Sequence, residues 1–489
     1  MGRGSRGKRR LSAGAEISRR ALFAGLAGAA LMPLRAPGRG ARAATLLQAG
    51  AERRLRAAAG SAPLVGGSYP DTAVWCYEGV VPGPLLRARQ GEAVRLVVEN
   101  HLQVGTSVHW HGLRVPNAMD GVPGLTQDPI ASGARFVYEF ELPDAGTYWY
   151  HPHIGSPEQV GRGLYGAFIV EETEPPLVDR ELVWIIDDWR LTEDAQISDD
   201  FGNWHDASHA GRLGNTVTVN GRQPQDLSVR AGERIRLRLI NAANARVFAL
   251  RFQDHRPRVI ALDGQPVAPH EPAEGLVVLA PAQRVDLILD LEGQPGQRSP
   301  VDDVYYQQDV VRFLDLVYDE GAPLRDDPLD GPIALAANPL AEPELATAER
   351  HRIEFGGGMM DPKLRRGEVT PDALRERFAE GGIWTVNGVA HLAHAHEPLL
   401  RLTKDRSAVL DLVNDTVWDH PIHLHGHSFR VLTRNGQARP HREWRDTLLL
   451  RPGDRAEIAF VADNPGDWMF HCHILEHQET GMMATLRVG

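Results

Sequence analysis

From Val74 to the C-terminus, short apolar runs rich in Val, Ile and Leu alternate with polar residues and are punctuated by Gly, Pro, Asn and Asp. A period of two sends successive side chains to opposite faces of an extended strand, and closely spaced runs of this kind predict β-sandwiches rather than helices. One phrase occurs three times: Gly91-Glu-Ala-Val-Arg-Leu-Val-Val-Glu-Asn100, Gly232-Glu-Arg-Ile-Arg-Leu-Arg-Leu-Ile-Asn241 and Ser407-Ala-Val-Leu-Asp-Leu-Val-Asn414. Each is an alternating strand closed by Asn. The pattern predicts an all-β chain of three related sandwiches, near residues 45–172, 173–325 and 345–489. Segments from Glu171 to Pro176 and from Pro323 to Pro343, rich in Pro and acidic residues, serve as linkers. One helix is expected as an insertion in the third unit, capped by Thr370, started by Pro371 and ending about Glu380 before Gly381-Gly382.

Two longer phrases occur twice. Val108-His-Trp-His-Gly112 matches Ile422-His-Leu-His-Gly426, and Gly146-Thr-Tyr-Trp-Tyr-His-Pro-His153 matches Gly466-Asp-Trp-Met-Phe-His-Cys-His473. The middle unit has Asn241-Ala-Ala-Asn-Ala-Arg-Val-Phe248 at the corresponding place. The chemistry is therefore expected in the outer units, with the middle one, which lacks these histidines, as a spacer.

At 489 residues and 42% hydrophobic, the chain can bury a core in each unit. Its first 43 residues read differently. A basic stretch from Arg3 to Arg10 precedes Ser18-Arg19-Arg20-Ala21-Leu22-Phe23, an apolar run to Met32 and Ala41-Arg42-Ala43-Ala44. That order predicts a twin-arginine signal peptide cut after Ala43, export by the twin-arginine machinery, and a periplasmic or secreted product. No other segment reads as a membrane anchor. The leader carries a net charge of +9, so the formal −11 of the whole chain becomes −20 without it. Such acidity argues against a nucleic-acid partner.

Four His-x-His pairs stand out: His109 and His111, His151 and His153, His423 and His425, His471 and His473. On strands each pair presents two imidazoles to one side, and four such strand ends suffice for a cluster of several metals between the first and third units. Cys472, between His471 and His473, faces the other way, and His420 has opposite parity to His423. With His477 and Met482 they form a thiolate, two imidazoles and a thioether, the ligand set of a mononuclear blue copper site. Cys76, the only other cysteine, reads as a buried strand residue.

These motifs, with Pro82-Gly-Pro84 and Ala282-Gln-Arg-Val-Asp286, resemble the three-domain multicopper oxidases, the group of laccases, spore-coat-type laccases and cuprous oxidases. The resemblance spans about Val74 to Leu486 and implies cupredoxin-like Greek-key sandwiches with four coppers per chain. It places type 1 copper on His420, Cys472, His477 and axial Met482, and type 2 on His109 and His423. One type 3 copper falls to His111, His151 and His473, the other to His153, His425 and His471. Asp120 matches a proton-donating acid of the family. A second acidic position falls on Gln478, which cannot ionise, leaving water and Glu479.

The implied activity is one-electron oxidation of phenols and similar small reductants, coupled to four-electron reduction of dioxygen to water. Cuprous or other metal-ion oxidation is the alternative, with Met359 and Met360 as the available soft ligands. A non-catalytic copper-binding protein is the reading from another class. His427 is read as structural, and His391, His394 and His396 as a candidate extra metal site.

Overall fold

The computed structural model describes residues 52–306, 310–325, 329–393 and 397–489. The leader, its cleavage point, His394 and His396 lie outside the described residues.

Among the described residues the strands assemble into six sheets that pair into three sandwiches. In the first, the sheet ordered Thr72–Tyr77, Glu52–Ala62, Ala93–Asn100, Arg135–Glu141 faces one ordered Leu86–Arg89, Gly166–Glu171, Gly146–His151, His109–His111. The second uses strands from Arg180–Trp189 to Val311–Tyr318, and the third from Glu349–Gly357 to Met483–Val488.

The thrice-repeated phrase has one structural job. In each unit its strand runs parallel to the unit's first strand, pairing Ala57 with Asn100, Ile186 with Asn241 and Phe355 with Asn414. The closing Asn is buried and fully used. Asn100 Nδ2 donates to the carbonyls of Val104 and Ile130, while Oδ1 accepts from Leu102 N. Asn241 makes the same three bonds with Arg246, Leu279 and Ala243. Asn414 makes them with Trp418, Leu450 and Thr416. A short amide that satisfies all three partners ties the turn after the strand to a distant strand, which explains its place in every unit.

Separate apolar cores fill the sandwiches, centred on Leu96 and Trp110, on Leu237 and Leu287, and on Leu410 and Trp468. The strand Arg234–Asn241 departs from simple alternation, because it is buried on both faces. Its Arg236 and Arg238, each 1% exposed, are neutralised by Glu172 and Asp286 at the seam with the first unit. The expected helix is present as Pro371–Ala379, with Thr370 Oγ1 accepting from Ala373 N. Among the described residues no helix is long and apolar enough to cross a membrane.

Candidate metal centre

Strand register assembles the histidines. The strand His109–His111 pairs antiparallel with Gly146–His151 so that His109 faces His151; His420–Leu424 pairs with Gly466–Cys472 so that His423 faces His471. Equivalent sheets of the two outer units therefore bring matching strand ends together. All eight imidazoles of the His-x-His pairs are at most 2% exposed. Their ring nitrogens gather into interlocking groups, each within 4.8 Å: His109, His111 and His423; His111, His151 and His473; His153, His425 and His471.

Hydrogen bonds at the outer ring atoms determine what faces inward. His109 Nδ1 donates to the Asp120 carbonyl (2.8 Å) and His423 Nδ1 to the Asp446 carbonyl (2.9 Å). His425 Nδ1 donates to Asp120 Oδ2 (2.9 Å), His471 Nδ1 to the Cys472 carbonyl (2.8 Å) and His151 Nδ1 to the Pro152 carbonyl (3.0 Å). His111 is turned round, its Nε2 lying 3.2 Å from Asp446 Oδ1 and Thr447 Oγ1. A neutral imidazole that donates from one nitrogen carries a lone pair on the other. Those lone pairs converge: His425 Nε2 and His471 Nε2 are 3.0 Å apart, and His473 Nε2 and His151 Nε2 3.4 Å. Two lone pairs cannot hydrogen-bond each other. Likewise His109 Nε2, His423 Nε2 and His111 Nδ1 are buried without partners. Burial moves the His111, His151, His423, His425, His471 and His473 rings downward from the ordinary histidine range, keeping them neutral.

Cys472 belongs to a second group. Its Sγ lies 3.4 Å from His420 Nδ1 and 3.7 Å from His477 Nδ1, and those two nitrogens are 3.1 Å apart. His420 Nε2 bonds Thr416 Oγ1 (2.9 Å), and His477 Nε2 donates to the His209 carbonyl (2.7 Å), so both Nδ1 atoms aim at the sulfur. Met482 is fully buried in the same core cluster as Cys472, whereas Met483 packs with Val122 and Met469. Burial pushes the Cys472 thiol upward and the His477 ring down to about 3. A thiol held protonated by burial ionises when a cation arrives. Orphaned, converging lone pairs and a soft sulfur group beside them fit copper ions at both places. Cys76 is free, and its Sγ lies 3.6 Å from the Ala58 carbonyl.

Several partners of these groups were not singled out in the sequence. Asp446 (1% exposed) holds His423 and His111 and is itself held by Arg284 of the middle unit, at 2.8 and 2.5 Å. Burial works to raise the Asp446 carboxyl, but Arg284 and His423 outweigh it and keep it below the usual carboxylate range. The middle unit contributes no imidazole to the groups, yet supplies this arginine and the His209 carbonyl. Gln478 is buried, with Oε1 unpartnered, and Glu479 is at the surface. The buried carboxylate beside His477 is Glu476, which accepts from Arg212 N (3.1 Å) and Asn244 Nδ2 (3.2 Å) and is raised by burial. His427 is buried, with Nδ1 donating to the His425 carbonyl (3.2 Å). His391 of the candidate extra site is partly exposed; the other two members lie outside the described residues.

Three cupredoxin-like sandwiches, with a sulfur-containing group joined through one residue to a histidine cluster, define a copper-dependent oxidoreductase. Models of multicopper oxidase domains match residues 63–175, 180–299 and 370–489. The chain is 31% identical to the multicopper oxidase MmcO of Mycobacterium tuberculosis, over 85% of its own length and 83% of that protein. It is 29% identical to a copper resistance protein A homolog of Pseudomonas syringae pv. tomato, covering 84% and 88%. A multi-copper oxidase structure from Pseudomonas thermotolerans superposes with a TM-score of 0.79 at 34% identity, covering 90% of this chain and 99% of that one. The chain belongs to the multicopper oxidase family.

Proposed function

We propose that this oxidase is laccase-like, withdrawing single electrons from phenols and related small reductants and passing them to a cluster that reduces dioxygen to water. The observation that carries the reading is the segment His471-Cys472-His473. Its sulfur belongs to one ligand group, and both flanking imidazoles belong to the other. In this reading His420, Cys472, His477 and Met482 hold type 1 copper, and His109 and His423 hold type 2. His111, His151 and His473 hold one type 3 copper, and His153, His425 and His471 the other. Bound copper would supply one-electron redox chemistry at Cys472 and dioxygen binding at the cluster.

The chain's own groups do the rest. Both groups are buried, and the carbonyls of Asp120, Asp446, Pro152 and Cys472 set the ring orientations. In this reading Asp120, whose carboxylate accepts from His425 Nδ1, serves as the acid that relays protons to the cluster. The outward nitrogen of His477 is covered by the His209 carbonyl, so an electron donor meets this peptide and its neighbours, not the imidazole. Trp204 (48% exposed) and His205 stand at the surface on the same short helix, Trp204–Ser208, beside Phe378. Aromatic donors suit such a surface.

Cu(I) oxidation has one observation in its favour. Met359 N donates to the Ser208 carbonyl (2.9 Å), which places the adjacent Met360, 51% exposed, near the same surface. Oxygen uptake with a phenol and with Cu(I), before and after Met359→Ala and Met360→Ala, separates the two. Phenol turnover independent of both methionines is expected; fast Cu(I) turnover that requires them overturns the laccase-like reading. The leader implies twin-arginine export and a periplasmic or secreted location. N-terminal sequencing of the exported protein should begin at Ala44, and Arg19→Lys with Arg20→Lys should block export.

A further inference from the structure

The cluster is flanked by two aspartates in matching roles. Asp120, of the first unit, takes the Nδ1 proton of its own unit's His109 on its carbonyl and reaches His425 of the third unit with its carboxylate. Asp446, of the third unit, takes the Nδ1 proton of its own unit's His423 on its carbonyl and reaches His111 of the first with its carboxylate. Each aspartate thus ties one outer unit to the other. Their surroundings differ. Among the described contacts no cation pairs with Asp120, whereas both Asp446 oxygens are gripped by the guanidinium of Arg284, which is fully buried.

Arg284 is itself fixed from three sides. Its Nε donates to the Thr147 carbonyl of the first unit (3.0 Å), Nη1 to the Ala282 carbonyl (3.2 Å), and its backbone N to Asp263 Oδ1 (3.0 Å). Thr447 Oγ1 donates to Asp446 Oδ1 (2.8 Å) and lies 3.2 Å from both His111 Nε2 and His423 Nδ1. The chain also leaves room for this pair. Gly112 of the His-Trp-His-Gly phrase adopts φ +86°, and a Cβ there would overlap Arg284 Nη2 and Asp446 Oδ2. A planar fork on a carboxylate fixes both distance and plane, which a lysine cannot do.

We propose that Arg284 is a positioning residue of the copper cluster. Through its two-pronged pair with Asp446 it orients His423, a type 2 ligand of the third unit, and His111, a type 3 ligand of the first, so that the middle unit sets one ligand of each site. This rests on the ligand reading proposed above.

The test uses the full copper-loaded protein and the variants Asp446→Asn, Arg284→Lys and Arg284→Gln. Type 1 blue absorbance reports folding and the Cys472 group, and electron paramagnetic resonance reports the type 2 ion. Expected are full blue absorbance, an altered type 2 hyperfine splitting, and release of the type 2 ion to chelator about 10–100-fold more readily, with Arg284→Lys the mildest. Unchanged type 2 spectra and chelator resistance overturn the proposal. So does loss of the blue absorbance in all three variants, since the pair would then serve the fold at large. The ligand reading fails separately, if the unsubstituted protein lacks a type 2 signal or keeps it after His109→Ala and His423→Ala.

Discussion

The carboxylate of Asp120, on a loop of the first sandwich, accepts a hydrogen bond from Nδ1 of His425, in the third, at 2.9 Å. That bond crosses the seam between the outer units and directs the other nitrogen of His425 at His471. Asp120→Ala leaves a buried N–H without an acceptor, a loss of about 1–3 kcal/mol, and frees the ring to turn. Dioxygen consumption should fall about 10–100-fold while the blue absorbance stays. Oxygen-electrode rates and visible spectra on the same preparation check this; unchanged rates would remove Asp120 from the proposed role.

Cys472→Ser should separate the two groups. Serine fills nearly the same space but offers no soft thiolate, so blue absorbance should vanish and turnover fall to background. The cluster imidazoles keep their outer hydrogen bonds and should still bind copper, measured as metal content per chain.

Met482 and Met483 are neighbours with different surroundings, the first in the core around Cys472 and the second against Val122 and Met469. Leu is close to Met in volume, so each exchange should cost under about 1.5 kcal/mol of stability. Met482→Leu should raise the type 1 reduction potential and Met483→Leu should leave it in place. A redox titration of the blue absorbance decides, and a shift in the Met483 variant alone would reverse the axial assignment.

Copper-free protein should lose stability in acid. His477 is lowered to about 3 by burial, below the ordinary histidine value near 6.5 of the unfolded chain. Between these values the unfolded chain binds the proton and the folded one does not, so stability is full above about pH 7 and declines as pH falls through 6.5 towards 3. The loss is about 1.4 kcal/mol per pH unit for each such ring. Melting temperatures of apo-protein at pH 7.5 and 5.5 test the sign. Added copper should raise the melting temperature at both, because it binds the folded state.

The metal-binding pattern was legible in the chain because it is local. Imidazoles two apart share a face of a strand, and a cysteine between them takes the opposite face, so His471, Cys472 and His473 declare two sites within three residues. The thrice-repeated strand ending in Asn declared the units for a similar reason: each Asn bonds the turn that follows it. Asp446, Arg284, Glu476 and the His209 carbonyl carry no such local mark. Asp446 lies 162 residues from Arg284, and His477 lies 268 from His209. Strand periodicity decides which way a side chain points. Only the packing of three sandwiches decides what it meets there, since a buried arginine or carboxylate is tolerated where a partner from another unit neutralises it.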